Sequence, residues 1–182
     1  MCYNVIMNIK SKKFYNEEKR RQGSRSPMDA ALYYLGFRSR TIRETERYLD
    51  EKQYGEYEIY QVIERLKELD YLNDVRFAND FIAARLRLKP ISRRKLRQDL
   101  MLHELEEDII EDAMSIFTDD IERENAKAVI KKYLSSYTNT DPLERRTVVI
   151  RRTLSKGFDY SVATEAFEEI EKEFIEGANN DR

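Results

Sequence analysis

The chain has 182 residues but only one cysteine, no tryptophan, five glycines and three prolines. One cysteine, Cys2, rules out a disulfide framework within the chain and fits a reducing compartment. So little Gly and Pro leaves few of the turn residues that β-hairpins and loop-rich folds demand, which points to helices. No apolar run approaches the roughly 20 residues of a membrane span. The opening residues, "MCYNVIMNIK", lack both the basic start and the long apolar middle of a secretory signal, so a cytoplasmic location is expected. Catalytic signatures are missing as well: there is no phosphate-cradling Gly loop and no nucleophile motif, and His103 is the single histidine. The run Glu106, Glu107, Asp108, Glu111 and Asp112 has no EF-hand spacing and reads as a solvated face. A non-enzymatic protein with no cofactor and no metal is expected.

What the chain has in quantity is charge. Lys and Arg number 33 against 35 Asp and Glu, for a net charge of −2. That balance argues against a protein that simply coats nucleic acid. The charges are nevertheless segregated. From Phe81 through Gln98 there are seven Lys or Arg and no acid; from Met101 through Ala126 there are ten acids and one Arg. Segregation of this kind produces faces of opposite potential.

The apolar residues repeat. "TERYL", "LRQDL" and "IRRTL" end on Leu49, Leu100 and Leu154, spaced by 51 and 54 residues. Each is followed by an apolar residue in a turn, Tyr54, Leu105 or Phe158, and then by an acidic start and an amphipathic stretch. The stripes are Ile59, Val62, Ile63, Leu66 and Leu69; then Ile109, Ile110, Ala113, Met114 and Phe117; then Val162, Ala166, Phe167, Ile170 and Phe174. A further helix precedes each shared pattern, over 28–37, 74–88 and 121–135. The reading is all-α: three tandem three-helix modules, helix-turn-helix-like, at 27–72, 73–118 and 119–176, in an elongated curved body. A polar arm at 1–26 and a tail at 177–182 flank them.

The stretch "LKELDYLNDVRFANDFIAARLRLK" is a module junction. Leu66–Leu72 ends the first module, Asn73 stands at a cap position, and Phe77, Ala78, Phe81, Ile82 and Leu86 form the next apolar stripe. Tyr71, Leu72 and Phe77 are expected in core packing, and most of the tyrosines, of which Tyr33, Tyr34, Tyr54, Tyr57 and Tyr60 concentrate in module one, half-buried with the hydroxyl in water. Pro90 stops the helix, and Ser92 is positioned to cap the one that follows. Arg85, Arg87, Lys89, Arg93, Arg94, Lys95 and Arg97 then flank a helix–turn–helix bend, with Leu96 and Leu100 inward and the basic heads in solvent.

These residues carry a resemblance to a known family. Leu66, Glu68, Leu69, Tyr71, Leu72, Asn73, Asp74, Arg76, Phe77, Ala78 and Arg85, followed by "ISRRKLRQDL", are similar to the pattern of the RecX family of recombination regulators, and the repeats extend the likeness from about Pro27 to Phe174. The resemblance implies a curved helical rod in the groove of the RecA filament on single-stranded DNA, restraining strand exchange, ATP hydrolysis and coprotease activity. It marks the seven basic residues of module two as the main contact, with Arg151 and Arg152 at the corresponding place in module three. At the position matching Leu96-Arg97 and Ile150-Arg151 module one has Thr45-Glu46, so a basic contact does not carry over there, although Arg40, Arg43 and Arg47 lie close by.

Two other readings use the same residues. In one, the basic face grips nucleic acid directly, beyond any weak DNA binding that accompanies the filament role. In the other, the protein is a scaffold assembling through its acidic face; the filament reading expects a monomer.

Overall fold

The computed structural model describes residues 25–137 and 141–180, with side chains through Glu173. The arm as far as residue 24 and the side chain of Phe174 lie outside the described residues. All regular structure among the described residues is helical: α1 (Pro27–Leu35), α2 (Ile42–Glu51), α3 (Glu56–Glu68), α4 (Asp74–Leu88), α5 (Arg93–Met101), α6 (Glu107–Met114), α7 (Asp119–Leu134), α8 (Pro142–Ser155) and α9 (Tyr160–Asn180). The last helix runs into the segment expected as a tail.

The helix boundaries have local causes. Pro27 and Pro142 occupy first-turn positions, where the missing N–H costs nothing, and Pro90 follows the end of α4. Hydroxyl and carboxylate caps open most of the helices. Ser26 accepts from the amide of Asp29 and Thr41 from that of Glu44, each in a reciprocal capping box; Thr118 accepts from Ile121 and Asp141 from Leu143 and Glu144.

The middle helix of each group ends in the same way. Gln53, Glu104 and Gly157 follow α2, α5 and α8 with φ of 65°, 57° and 97°. Each precedes the apolar residue expected in a turn: Leu105 and Phe158 are buried, and Tyr54 is half-buried against its core. A left-handed residue followed by an apolar one is the usual way to satisfy the last carbonyls of a helix while turning the chain back onto its core.

Between Asn73 and Asp74 the chain divides into two units. In the first, α1–α3 enclose Ala30, Ala31, Leu49, Val62, Ile63, Leu66 and Leu72. Tyr34 and Tyr48 stack at 4.1 Å beside it, and burial raises the Tyr48 hydroxyl above its ordinary pKa. Three of the tyrosines expected half-buried are mostly exposed: Tyr33 at 51%, Tyr57 at 70% and Tyr60 at 62%. Tyr71 (57%) and Leu69 (46%) are exposed too, although both continue the stripe. The helix ends at Glu68, and Asp70 with φ 58° turns the chain, so helical periodicity stops applying there.

The second unit holds two cores. Phe77, Ala78, Ile82, Leu96, Leu100, Ile110, Met114 and Phe117 pack among α4–α6, with Phe81 and Leu86 partly buried. His103 lies edge-on to Phe77 and Phe81, 4.9 Å from each, which gives the single histidine a packing role. Ala126, Ile130, Val149, Phe158, Ala166, Phe167 and Ile170 fill the space among α7–α9. The two cores are tied together at the α4–α5 turn, where the basic run also lies.

Candidate interaction surface

Ser92 joins the two cores of the second unit. Its Oγ accepts from the amide of Lys95, capping α5, and donates to the carbonyl of Lys156 at 3.0 Å. Its residue is fully buried. Asn125 Nδ2 on α7 donates to the Ile91 carbonyl at 3.0 Å. Gly157 allows the approach: a Cβ there would lie 2.5 Å from Ser92 Oγ, and its φ is one that side chains resist.

The seven basic residues of this region divide into two sets. Four are held by acids of the same unit. Arg93 reaches Asp119 at 2.7 Å and Glu122 at 3.4 Å, its backbone N–H donates to Glu122, and its guanidinium lies over Phe117 at 5.4 Å. Arg97 binds Glu111 at 3.0 Å and also Glu107. Arg85 and Lys95 share Asp99, at 3.1 and 2.7 Å, and Arg85 lies over Phe81. Arg85, Arg93 and Arg97, expected with their heads in solvent, are only partly exposed and turned onto these acids, Arg93 and Arg97 onto ones distant in sequence. The acids that neutralise them come from "LEEDIIEDAM" and "TDDIERE", which the sequence separates from the basic run and the fold brings back against it.

Arg87, Lys89 and Arg94 form the other set. All three are exposed and have no ionic partner among the described residues. In the third group of helices, Arg151 is exposed and likewise without one, whereas Arg152 lies over the rings of Tyr133 and Tyr137 at 5.6 and 5.4 Å. In the first group Thr45 is buried, its hydroxyl donating to the Thr41 carbonyl, and Glu46 pairs with Arg43. That position offers no basic contact.

Elsewhere in the unit charge is used for cross-linking. Lys127 of α7 bridges Glu124 and Glu169 of α9. The hydrogen bond from Lys127 holds the Glu169 carboxyl below the usual carboxylate range, and the same bond raises Lys127. Among the described residues no group of His, Cys, Asp or Glu is arranged to hold a metal, and no helix is long and apolar enough to cross a membrane.

Comparison with known proteins agrees with this architecture. Residues 28–66 match the family model for the first three-helix domain of RecX, and residues 73–114 match that for the second. The chain is similar to the regulatory protein RecX of Prosthecochloris aestuarii, 29% identical over 147 residues that cover 81% of this chain and 95% of that one. It is also similar to the regulatory protein RecX of Bacillus pumilus, 28% identical over 139 residues and 76% of this chain, but it spans only 53% of that relative's length. Crystal structures called RecX share its fold. One from Lactobacillus salivarius gives a TM-score of 0.73 at 24% identity, over 80% of this chain and 94% of that one. Another gives 0.68 at 23% identity, over 87% and 77%. With two RecX three-helix domains in tandem and relatives of that name along most of its length, this chain belongs to the RecX family.

Proposed function

We propose that this protein binds the RecA filament on single-stranded DNA and restrains its recombinase, ATPase and coprotease activities, as a cytoplasmic regulator and not an enzyme. The supporting observation is the set Arg87, Lys89 and Arg94: exposed cations without ionic partners among the described residues, at one helix–turn–helix bend of a protein whose net charge is negative. In water such residues gain little from each other. Against the acidic surface or exposed phosphates of a filament they gain charge-assisted hydrogen bonds. Arg151 extends the set into the third group of helices. Arg85, Arg93, Lys95 and Arg97 contribute by shaping the bend and by their residual positive field.

The test is co-sedimentation of the protein with RecA filaments, set beside bare single-stranded DNA over a range of salt. Retention by filaments, with weak binding to bare DNA, is expected. Equally tight binding to bare DNA, with a steep salt slope, would favour direct nucleic-acid recognition instead.

A further inference from the structure

A cleft of about 380 Å³ lies in the second unit where the α4–α5 turn meets α7 and the end of α8. Four lysines border it: Lys89 and Lys95 from one side, Lys132 and Lys156 from the other. The one carboxylate in its lining is Asp99, already shared between Arg85 and Lys95. Lys89, Lys132 and Lys156 have no ionic partner among the described residues. Three ammonium groups thus border one concavity with no carboxylate of the described residues paired to them. An anion with several charges would supply that pairing.

The floor has a different character. Pro90, Ile91, Ala128 and Val129 supply an apolar surface, with the ring of Tyr133 beside them. A concave apolar floor with a few polar groups at its edge is the usual form of a small-ligand site, and this cleft has the volume of one. Lysine heads are compact point charges on flexible stems, suited to the several oxygens of a phosphate chain and not to one fixed geometry. An inorganic anion would leave the floor unused, and a purely apolar ligand would leave the lysines unpaired.

We propose that this cleft binds a nucleoside triphosphate, with the phosphates among Lys89, Lys132 and Lys156 and the base on the floor beside Tyr133. The site shares Lys89 with the proposed filament face but not Arg87, Arg94 or Arg151, which are not in its lining, and its ligand does not depend on the filament reading. Binding at Lys89 would place a cluster of negative charge beside the proposed filament face, so occupancy would weaken contact there.

The probe is ATP, titrated calorimetrically into the isolated protein at about 0.1 M ionic strength, where the screening length is about 10 Å, with tripolyphosphate and hexaglutamate as comparisons. Saturable one-to-one ATP binding is expected, tighter than that of tripolyphosphate. Lys132→Glu combined with Lys156→Glu should weaken it by about tenfold or more, and Lys172→Glu on α9 by less than about twofold, because screening confines the effect to nearby charges. All three lysines are exposed, so unchanged circular dichroism and melting are expected in both variants. Absence of saturable ATP binding, or equal loss in the control variant, overturns the site. Tripolyphosphate binding as tightly as ATP overturns the nucleoside assignment. Hexaglutamate binding more tightly than ATP overturns it in favour of an acidic protein segment.

Discussion

Ser92 Oγ donates to the carbonyl of Lys156 at 3.0 Å, across 64 residues of chain, while accepting from the amide of Lys95 in its own helix. One buried hydroxyl therefore starts α5 and fastens the α4–α6 core to the α7–α9 core. Ser92→Ala should destabilise the second unit by about 1–3 kcal/mol, from a lost cap and a partly buried carbonyl left without its donor. Gly157→Ala should destabilise it as well, through the unfavourable φ and the approach to that hydroxyl. The double variant should cost less than the sum, because removing the hydroxyl makes room for the methyl group. Urea denaturation of the three variants measures the coupling.

Arg93 and Arg94 are neighbours in sequence with opposite employment. Arg93 is the principal cation facing Glu122, whose carboxylate is largely buried. Arg93→Ala should lower stability by about 1.5–3 kcal/mol, and Arg94→Ala should stay within about 0.5 kcal/mol. Filament binding should show the reverse emphasis, with Arg94→Ala weakening it in a fully folded protein.

At the junction between the first and second groups, Phe77 is buried at 8% exposure and Tyr71 stands 57% exposed. Phe77→Ala should cost about 3–5 kcal/mol by opening a cavity beside Phe81 and His103. Tyr71→Ala should cost less than about 1 kcal/mol. Thermal melts of the pair check the assignment of core and surface.

The Lys127–Glu169 bridge predicts a pH dependence with a definite sign. Glu169 is lowered in the folded protein, so its contribution is present above the usual carboxylate range and lost as pH falls through the lowered value. Lys127 is raised, so its contribution is present below the usual ammonium range and lost as pH rises through the raised value. The melting temperature of the wild type should exceed that of Lys127→Met at neutral pH, and the gap should narrow at both extremes.

The helices were legible because their signals are local. Leu49, Leu100 and Leu154 repeat, Ser92 precedes the helix it caps, and Pro90 marks a boundary. Tyr71 and Leu69 were misread because periodicity was carried past a helix that ends at Glu68. In the candidate surface the cluster of cations was visible, but its division was not. Which of Arg93 and Arg94 is neutralised depends on Asp119 and Glu122, and only tertiary packing brings those acids to one of them. The second bond of Ser92 and the close approach at Gly157 were hidden for the same reason. The left-handed residues Gln53 and Glu104 carry no glycine to announce them.

Whether the protein restrains the filament through these cations is decided by ATP hydrolysis of RecA filaments on single-stranded DNA, titrated with this protein and with its Arg87→Glu, Arg94→Glu, Arg151→Glu variant. These three side chains hold no internal ion pair among the described residues, so the variant should fold as the wild type does. The wild type should inhibit hydrolysis and the folded variant should not. Hydrolysis unchanged by the wild type at equimolar amounts would rule out a filament regulator.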